Sequence, residues 1–295
     1  MRRSKRVRHA VEYVLLRASL PVIVAQPPAA LERWSRRLAT VAYPFARARR
    51  RVAVENILRA GIAPDRAGAE RIARESFHHI AIVAAEALKG PAFFDRHPWR
   101  DYVELDFAPG AARAIEDRSQ GVLLVTGHLG NWEIPGQVLA TVRPMLAVAR
   151  RMNNPWVERL ILRGRTSGML QTAASRGEGP SQLVAALKGG AMVALLTDQH
   201  ARLRGMQVPF FGVPASTHTV AARLHLLTGA PLVFGYTLRT GPMRSRIVAE
   251  DPIEIARTGD RDTDVRAILT TVAARLEAAI RRHPEQYLWS HRRWR

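Results

Sequence analysis

The stretch that most constrains this chain is Gly121-Val-Leu-Leu-Val-Thr-Gly-His128-Leu-Gly-Asn-Trp-Glu133-Ile-Pro-Gly136. Val122 to Val125 form a short apolar run with the length and β-branched content of a buried strand. A Gly-flanked histidine and a polar turn follow, then Trp132 and Glu133 open a helix. Pro135 marks that boundary, because proline is tolerated in a first helical turn and breaks a helix further in. Asn131 is a natural cap for it. Two side chains five apart inside one helix stand about 140° apart, so His128 belongs to the loop, from which it can turn back toward Glu133. A carboxylate in the first helical turn is kept ionised by the helix dipole. Beside an imidazole it orients the ring and makes the other nitrogen a better base. By spacing alone the pair reads first as a strand-end histidine and a solvated acid, because histidine and glutamate fall at that spacing often by chance. The strand–turn–helix setting is what makes His128 and Glu133 catalytic candidates.

Gly127-His-Leu-Gly-Asn-Trp-Glu133 resembles the signature of the bacterial lipid A biosynthesis (lauroyl/myristoyl) acyltransferase family, within the wider lysophospholipid/glycerolipid acyltransferase superfamily, whose members use a His/acid pair. Three further segments resemble the same family: Arg163 to Leu170, Phe210-Phe-Gly-Val-Pro-Ala-Ser-Thr217, and the terminal Pro284-Glu-Gln-Tyr-Leu-Trp-Ser-His-Arg-Arg-Trp294. The likeness spans nearly the whole chain.

Charge and cysteine content bound the chemistry. The 295 residues contain no cysteine, which removes disulfides, thiolate–zinc sites and any thiol nucleophile. A hydrophobic content of 47% is ample for a core, and the net charge of +20 calls for an anionic partner. Within residues 1–51, thirteen Arg and Lys face only Glu12 and Glu32, so roughly half of that charge lies in the first sixth of the chain. Ala10 to Ala25 lies between these basic clusters. Interrupted by Glu12, Arg17 and Pro21, it is a poor spanning helix, which needs ~20 apolar residues, and it is no clean signal peptide. Residues 1–27 therefore read as a basic amphipathic segment lying in a membrane interface, with residues 28–295 as the catalytic domain.

From Ala29 to Leu88 the apolar spacing is helical, with Leu31, Trp34, Leu38 and Val41 at three- and four-residue intervals. Pro64-Asp65 starts a long helix that Gly90-Pro91 closes. His78 and His79 on it point to different faces and read as structural. Pro91 to Asp106 reads as an irregular aromatic connection. Pro144 to Ala149 is a second strand, placed beside the His128 strand and ending on Arg150. A helix opens at Asn153-Asn-Pro155. Ala191 to Leu196 is a third strand that runs into Asp198 and His200, an acid on the same rim. From Val208 the pattern is a short strand, a turn at Gly212 and Pro214, and a helix capped by Ser216 or Thr217. Two more strands flank Thr240-Gly-Pro242, and a last helix covers about 262–282. The expected fold is α/β: a single domain with a mixed central sheet flanked by helices, preceded by an N-terminal helical membrane-associating region.

The resemblance implies transfer of a fatty acyl chain from an acyl thioester to a hydroxyl of a lipid A precursor or related glycolipid. The donor would be acyl-acyl carrier protein, an acidic partner, or acyl-CoA; the acceptor would be an anionic glycolipid at the cytoplasmic face of the cell inner membrane. In this reading His128 is the base and Glu133 its acid. Arg150, Asn131, Gly130 and Asp198 are the oxyanion and substrate-binding candidates. Where the family carries a second acid after Asp198, this chain has His200, so no second carboxylate role carries over. No metal, cofactor or nucleic acid is expected, since neither zinc-ligand spacing nor a nucleic-acid-binding motif is present. A related enzyme acylating another sugar or glycerol lipid, and a thioesterase using the same pair on water, are the nearest alternatives.

Overall fold

Apolar spacing in the first third of the chain produces helices that pack on one another. The computed structural model describes residues 3–149, 152–165, 170–174, 179–202 and 205–294. In it α1 runs Arg3–Ala25, α2 Pro28–Ala42, α3 Arg47–Arg59 and α4 Arg66–Phe94. Asp65 caps α4, its carboxylate accepting from Gly68 N at 2.7 Å, a contact worth ~1 kcal/mol. The stripe that marks α2 as a helix does not bury as one face. Leu31, Ser35 and Ala39 are buried, while Trp34, Leu38 and Val41 are 59%, 70% and 65% exposed.

Two expectations for this region change. The break at Gly90-Pro91 does not occur, and α4 continues through Pro91 to Phe94. Phe93 is buried there against the rings of Phe94, His97 and Tyr102, with centroids 4.3–5.4 Å away. That packing outweighs one missing backbone hydrogen bond. Nor is α1 set apart from the rest. Asn154 Nδ2 donates to His9 O and to Glu12 Oε2, both at 2.9 Å, and Lys89 Nζ donates to Val24 O at 2.5 Å. Among the described residues no helix is long and apolar enough to cross a membrane.

The remaining elements are β1 (Val103–Phe107), α5 (Pro109–Glu116), β2 (Val122–Thr126), α6 (Glu133–Leu139), β3 (Met145–Ala149), α7 (Pro155–Arg165), β4 (Leu170–Ala174), α8 (Gly179–Lys188), β5 (Met192–Leu196), β6 (Met206–Phe210), β7 (Val213–Thr217), α9 (Val220–Thr228), β8 (Leu232–Gly241), β9 (Arg244–Ala249) and α10 (Arg261–Arg282). Among the described residues seven strands form one sheet in the order β1-β9-β8-β2-β5-β3-β4. The run from β8 to β4 is parallel, β9 pairs antiparallel with β8, and β1 is parallel to β9. The fold is thus a single α/β domain with a mixed central sheet flanked by helices. β1 lies inside the connection expected to be irregular. β3 does not neighbour β2, because β5 lies between them, and this one permutation decides which acid meets His128.

The segment after Val208 is also different. β6 and β7 form an antiparallel hairpin, and α9 begins only at Val220, so neither Ser216 nor Thr217 caps a helix. Phe211 and Gly212 both adopt positive φ, 52° and 72°. That pair of angles makes the tight turn whose twist matches a two-stranded ribbon.

The two sheet faces are filled differently. Leu123, Val125, Val193, Leu195, Leu232 and Phe234 pack into the main core with Ile268, Leu269, Val272 and Leu276 of α10. On the other face Val122, Met192, Met145, Val233 and Ala249 meet Ala111, Ala114, Ile115 and Leu139 from α5 and α6.

Candidate active site

His128 lies two residues beyond the end of β2, and Asp198 two residues beyond the end of β5. The strands pair in register, Thr126 opposite Leu196, so the two side chains arrive together. His128 Nδ1 is 2.7 Å from Asp198 Oδ1, and His128 N donates to Asp198 Oδ2 at 2.8 Å. A carboxylate only accepts, so Nδ1 carries the proton and Nε2 keeps its lone pair. Gln199 Nε2 stands 3.4 Å from that nitrogen, and the Trp132 ring meets the imidazole edge-on at 4.9 Å. Gly127 permits the approach, since a Cβ there would come within 2.8 Å of Leu276 and 3.4 Å of Asp198 Cγ.

The pair is buried, with side chains 15% and 3% exposed. Burial by itself lowers the pKa of His128. The charge and hydrogen bond of Asp198, joined by the charge of Glu133, outweigh it and raise the value above that of a free imidazole. For Asp198 burial pushes upward, but His128 holds the carboxyl down, to about 2, with help from Arg293. The acid is therefore ionised at any physiological pH.

The other sequence candidates fall into distinct places. Glu133 stands in the first turn of α6 on the wall of the cavity described below and acts on His128 as a nearby charge. The carboxylate bonded to Nδ1 is Asp198. Asn131 is fully buried: Oδ1 accepts from Glu133 N at 3.3 Å and Nδ2 donates to Glu86 Oε2 at 2.9 Å. Gly130 N donates to Gln286 O at 3.0 Å. Its φ is +62°, and a Cβ would collide with the Thr237 carbonyl. Both residues build the turn, and the groups expected to meet an oxyanion have partners inside the protein. His200 lines the cavity, its N–H donating to His291 Nε2 at 3.2 Å. Arg150 lies outside the described residues.

Sequence reasoning did not foresee what braces this turn. Leu129 bridges Tyr287, Leu288 N donates to His128 O at 3.1 Å, and the buried Tyr287 hydroxyl is hydrogen-bonded to Asp198. Burial and that carboxylate raise the Tyr287 pKa far enough to keep it a neutral donor. Arg293 Nη1 reaches Ser216 O at 2.6 Å and Nη2 reaches Thr217 Oγ1 at 2.6 Å, tying the same segment to β7. The available signal was the terminal motif itself, whose likeness to the family had no structural role attached to it. Glu86 is one of three acids on α4 and the one that interrupts the apolar run from Ile80 to Leu88, a signal that the sequence reading did not use.

A cavity of about 1710 Å³ opens from His128 across the sheet. Its floor is the face carrying Leu124, Ala147, Ala194, Val233, Gly235 and Ala249, where small side chains from five neighbouring strands lie in register. Ile115, Leu139 and Pro135 wall it from α5 and α6. Gln199, His200, Arg202, His218 and Arg223 line it as well. The site thus joins an oriented imidazole to a deep apolar channel bordered by cationic and polar groups.

The chain is similar to several known proteins. A family model described as bacterial lipid A biosynthesis acyltransferase matches residues 1–295. A lipid A biosynthesis palmitoleoyltransferase of Escherichia coli (strain K12) is 27% identical over 268 residues, covering 88% of this chain and 83% of the relative. A lipid A biosynthesis acyltransferase of Shigella flexneri matches with the same identity and coverage. The crystal structure of the 1-acyl-sn-glycerophosphate (LPA) acyltransferase PlsC from Thermotoga maritima aligns with 82% of this chain and 97% of its own, at 12% identity and a TM-score of 0.35.

Proposed function

Since this chain belongs to the bacterial lipid A biosynthesis acyltransferase family, we propose that His128 is the general base of its acyl transfer. The protein is a membrane-associated O-acyltransferase of the lipid A type, joining an acyl donor to a glycolipid acceptor. The observation that carries the proposal is the placement of His128. Its Nδ1 is held by an ionised carboxylate, and its ring lines an apolar channel large enough for an acyl chain.

The steps follow from that placement. Nε2 takes the proton of the acceptor hydroxyl as its oxygen attacks the thioester carbonyl. Asp198 and Glu133 stabilise the imidazolium while the tetrahedral oxyanion exists. Collapse expels the donor thiolate, which receives the same proton from Nε2. Arg150 remains the proposed contact for the oxyanion or an acceptor phosphate. Arg202 and Arg223 line the cavity as cations, and His218, whose pKa burial lowers, lines it as a neutral ring. An acyl-acyl carrier protein suits the +20 charge better than a small thioester does.

Direct transfer needs no acyl-enzyme. With no cysteine in the chain, the serine or threonine nearest His128 in sequence is Thr126, which lines the cavity but lacks an exposed-nucleophile turn. The test is to mix enzyme with radiolabelled acyl-acyl carrier protein without acceptor and quench with acid. The expected result is no label on denatured protein, and label on lipid once a lipid A precursor is supplied. Stoichiometric protein label that disappears in Thr126→Ala overturns the direct mechanism.

We also assign the protein to the cytoplasmic face of the inner membrane, held peripherally. Val11, Val14, Leu15 and Val22 of α1 and Trp34, Leu38 and Val41 of α2 are all more than half exposed, and Arg6, Arg8, Arg33 and Arg37 stand among them. Apolar side chains with arginines at headgroup level suit an anionic bilayer surface. Trp34→Glu/Leu38→Glu changes only exposed side chains, and binding to anionic vesicles should fall at least ~5-fold, with raised salt weakening wild-type binding too. Unchanged pelleting of this double variant counts against the assignment.

A further inference from the structure

Glu86 is 2% exposed in the middle of α4, far in sequence from every residue of the proposed chemistry. Three donors converge on it. Arg239 Nε and Met243 N reach Oε1 at 3.0 and 2.9 Å, and Asn131 Nδ2 reaches Oε2 at 2.9 Å. Both oxygens are used only as acceptors, which is the hydrogen-bonding pattern of a carboxylate rather than a carboxylic acid. Burying an ion is costly before its partners are counted, so its choice of partners is informative. Asn131 is the residue between the His128 loop and α6, and its other atom, Oδ1, accepts from Glu133 N. Arg239 carries the connection further: its backbone N and O bond the side chain of Gln286, whose own carbonyl accepts from Gly130 N. Near Glu86 on α4, the buried ring of His79 bonds the Gly130 backbone.

We propose that Glu86 is a positioning residue: through Asn131 it fixes the turn that joins His128 to Glu133, and with it the aim of the base. The turn is gripped from three sides. Asp198 holds His128 N, the 286–288 segment holds residues 128–130, and α4 holds Asn131. Only the last grip reaches the residue whose side chain sets the start of α6. This inference rests on His128 being the base.

The test exchanges the two polar groups. In Glu86→Gln, Oε1 still serves Arg239 and Met243, but an amide NH2 now faces the Asn131 NH2. Turning Asn131 over relieves that conflict only by setting its NH2 against Glu133 N–H. kcat should fall about 10-fold or more, as expected for a misplaced base, while KM for the acyl donor stays within about twofold. Adding Asn131→Asp returns an acceptor to face the new amide at position 86 and keeps one for Glu133 N, so the double variant should recover at least ~3-fold in kcat. A purely structural role predicts no such recovery. If His128→Ala is inactive and Glu86→Gln stays within twofold of wild type, this inference alone is overturned. If His128→Ala is active, the base assignment falls and takes this inference with it. A Glu86→Gln protein that loses kcat without rescue also overturns it. Should Glu86→Gln fail to fold, Asn131→Asp alone sets two carboxylates face to face. Loss of kcat at unchanged KM then supports the proposal, and retained kcat refutes it.

Discussion

Replacing His128 with alanine is expected to lower turnover by about 10²-fold or more, the usual contribution of a general base. The substitution also leaves Asp198 without its main counter-charge at 3% exposure, so some stability is lost along with activity. Tyr287 and Arg293 remain beside that carboxylate, and the protein should still fold by circular dichroism. His128→Gln, which keeps a side-chain amide near Asp198, separates loss of the base from loss of a buried partner. Both variants should show that loss of turnover. Activity near the wild-type level in either one removes His128 from the mechanism.

Asp198→Asn should be about as damaging, on the order of 10²-fold or more; the equivalent change in serine protease triads costs ~10⁴. The backbone N–H of His128 selects the amide oxygen at the Oδ2 position, which turns the NH2 toward Nδ1. The ring must then accept at Nδ1 and carry its proton on Nε2, where the base is needed. A shift in pH dependence should accompany the loss. In the wild type the His128 pKa lies above the ordinary imidazole value, and only the neutral ring is a base, so kcat/KM should rise with pH through that raised value. Removing the Asp198 charge leaves burial as the largest influence, and burial lowers the pKa. The acid limb of the residual activity should therefore move to lower pH. Wild-type turnover with an unmoved limb would return the partnership to Glu133. Glu133→Gln, by comparison, should cost less, because Glu133 is the weakest of the named influences on the imidazole.

The contrast between these two acids shows what the sequence makes legible. Each element around His128 was readable because its pattern is local: an apolar run, a glycine pair, a proline in a first turn. The helix at Glu133, the strands at Pro144 and Ala191 and the long final helix were readable for the same reason. Strand order is not local. Nothing in the chain from Val122 to Leu196 states that β5 inserts between β2 and β3, and that insertion makes the end of β5, with Asp198, the neighbouring strand end. Phe211 was a second such case, since a bulky residue at positive φ is not the usual occupant of a tight turn. Asn131 was read correctly as a residue that serves the start of α6. Its second partner, Glu86, lies forty-five positions away, beyond any periodicity.

The pairing of the His128 turn with residues 286–288 also bears on how the enzyme is made. A ribosome builds β2 and the turn long before it reaches Tyr287, and β5 and β8 come in between. Until Tyr287 and Arg293 have been added and have threaded back against the turn, His128 and Asp198 lack the groups that enclose them. Synthesis at ~5–20 residues per second imposes an interval of several seconds in which a nascent chain has much of its sheet and no finished base. The same ordering acts as a completeness check. A chain ended between α2 and residue 286 would keep the two helices proposed to meet a bilayer, yet lack the segment that braces the proposed base.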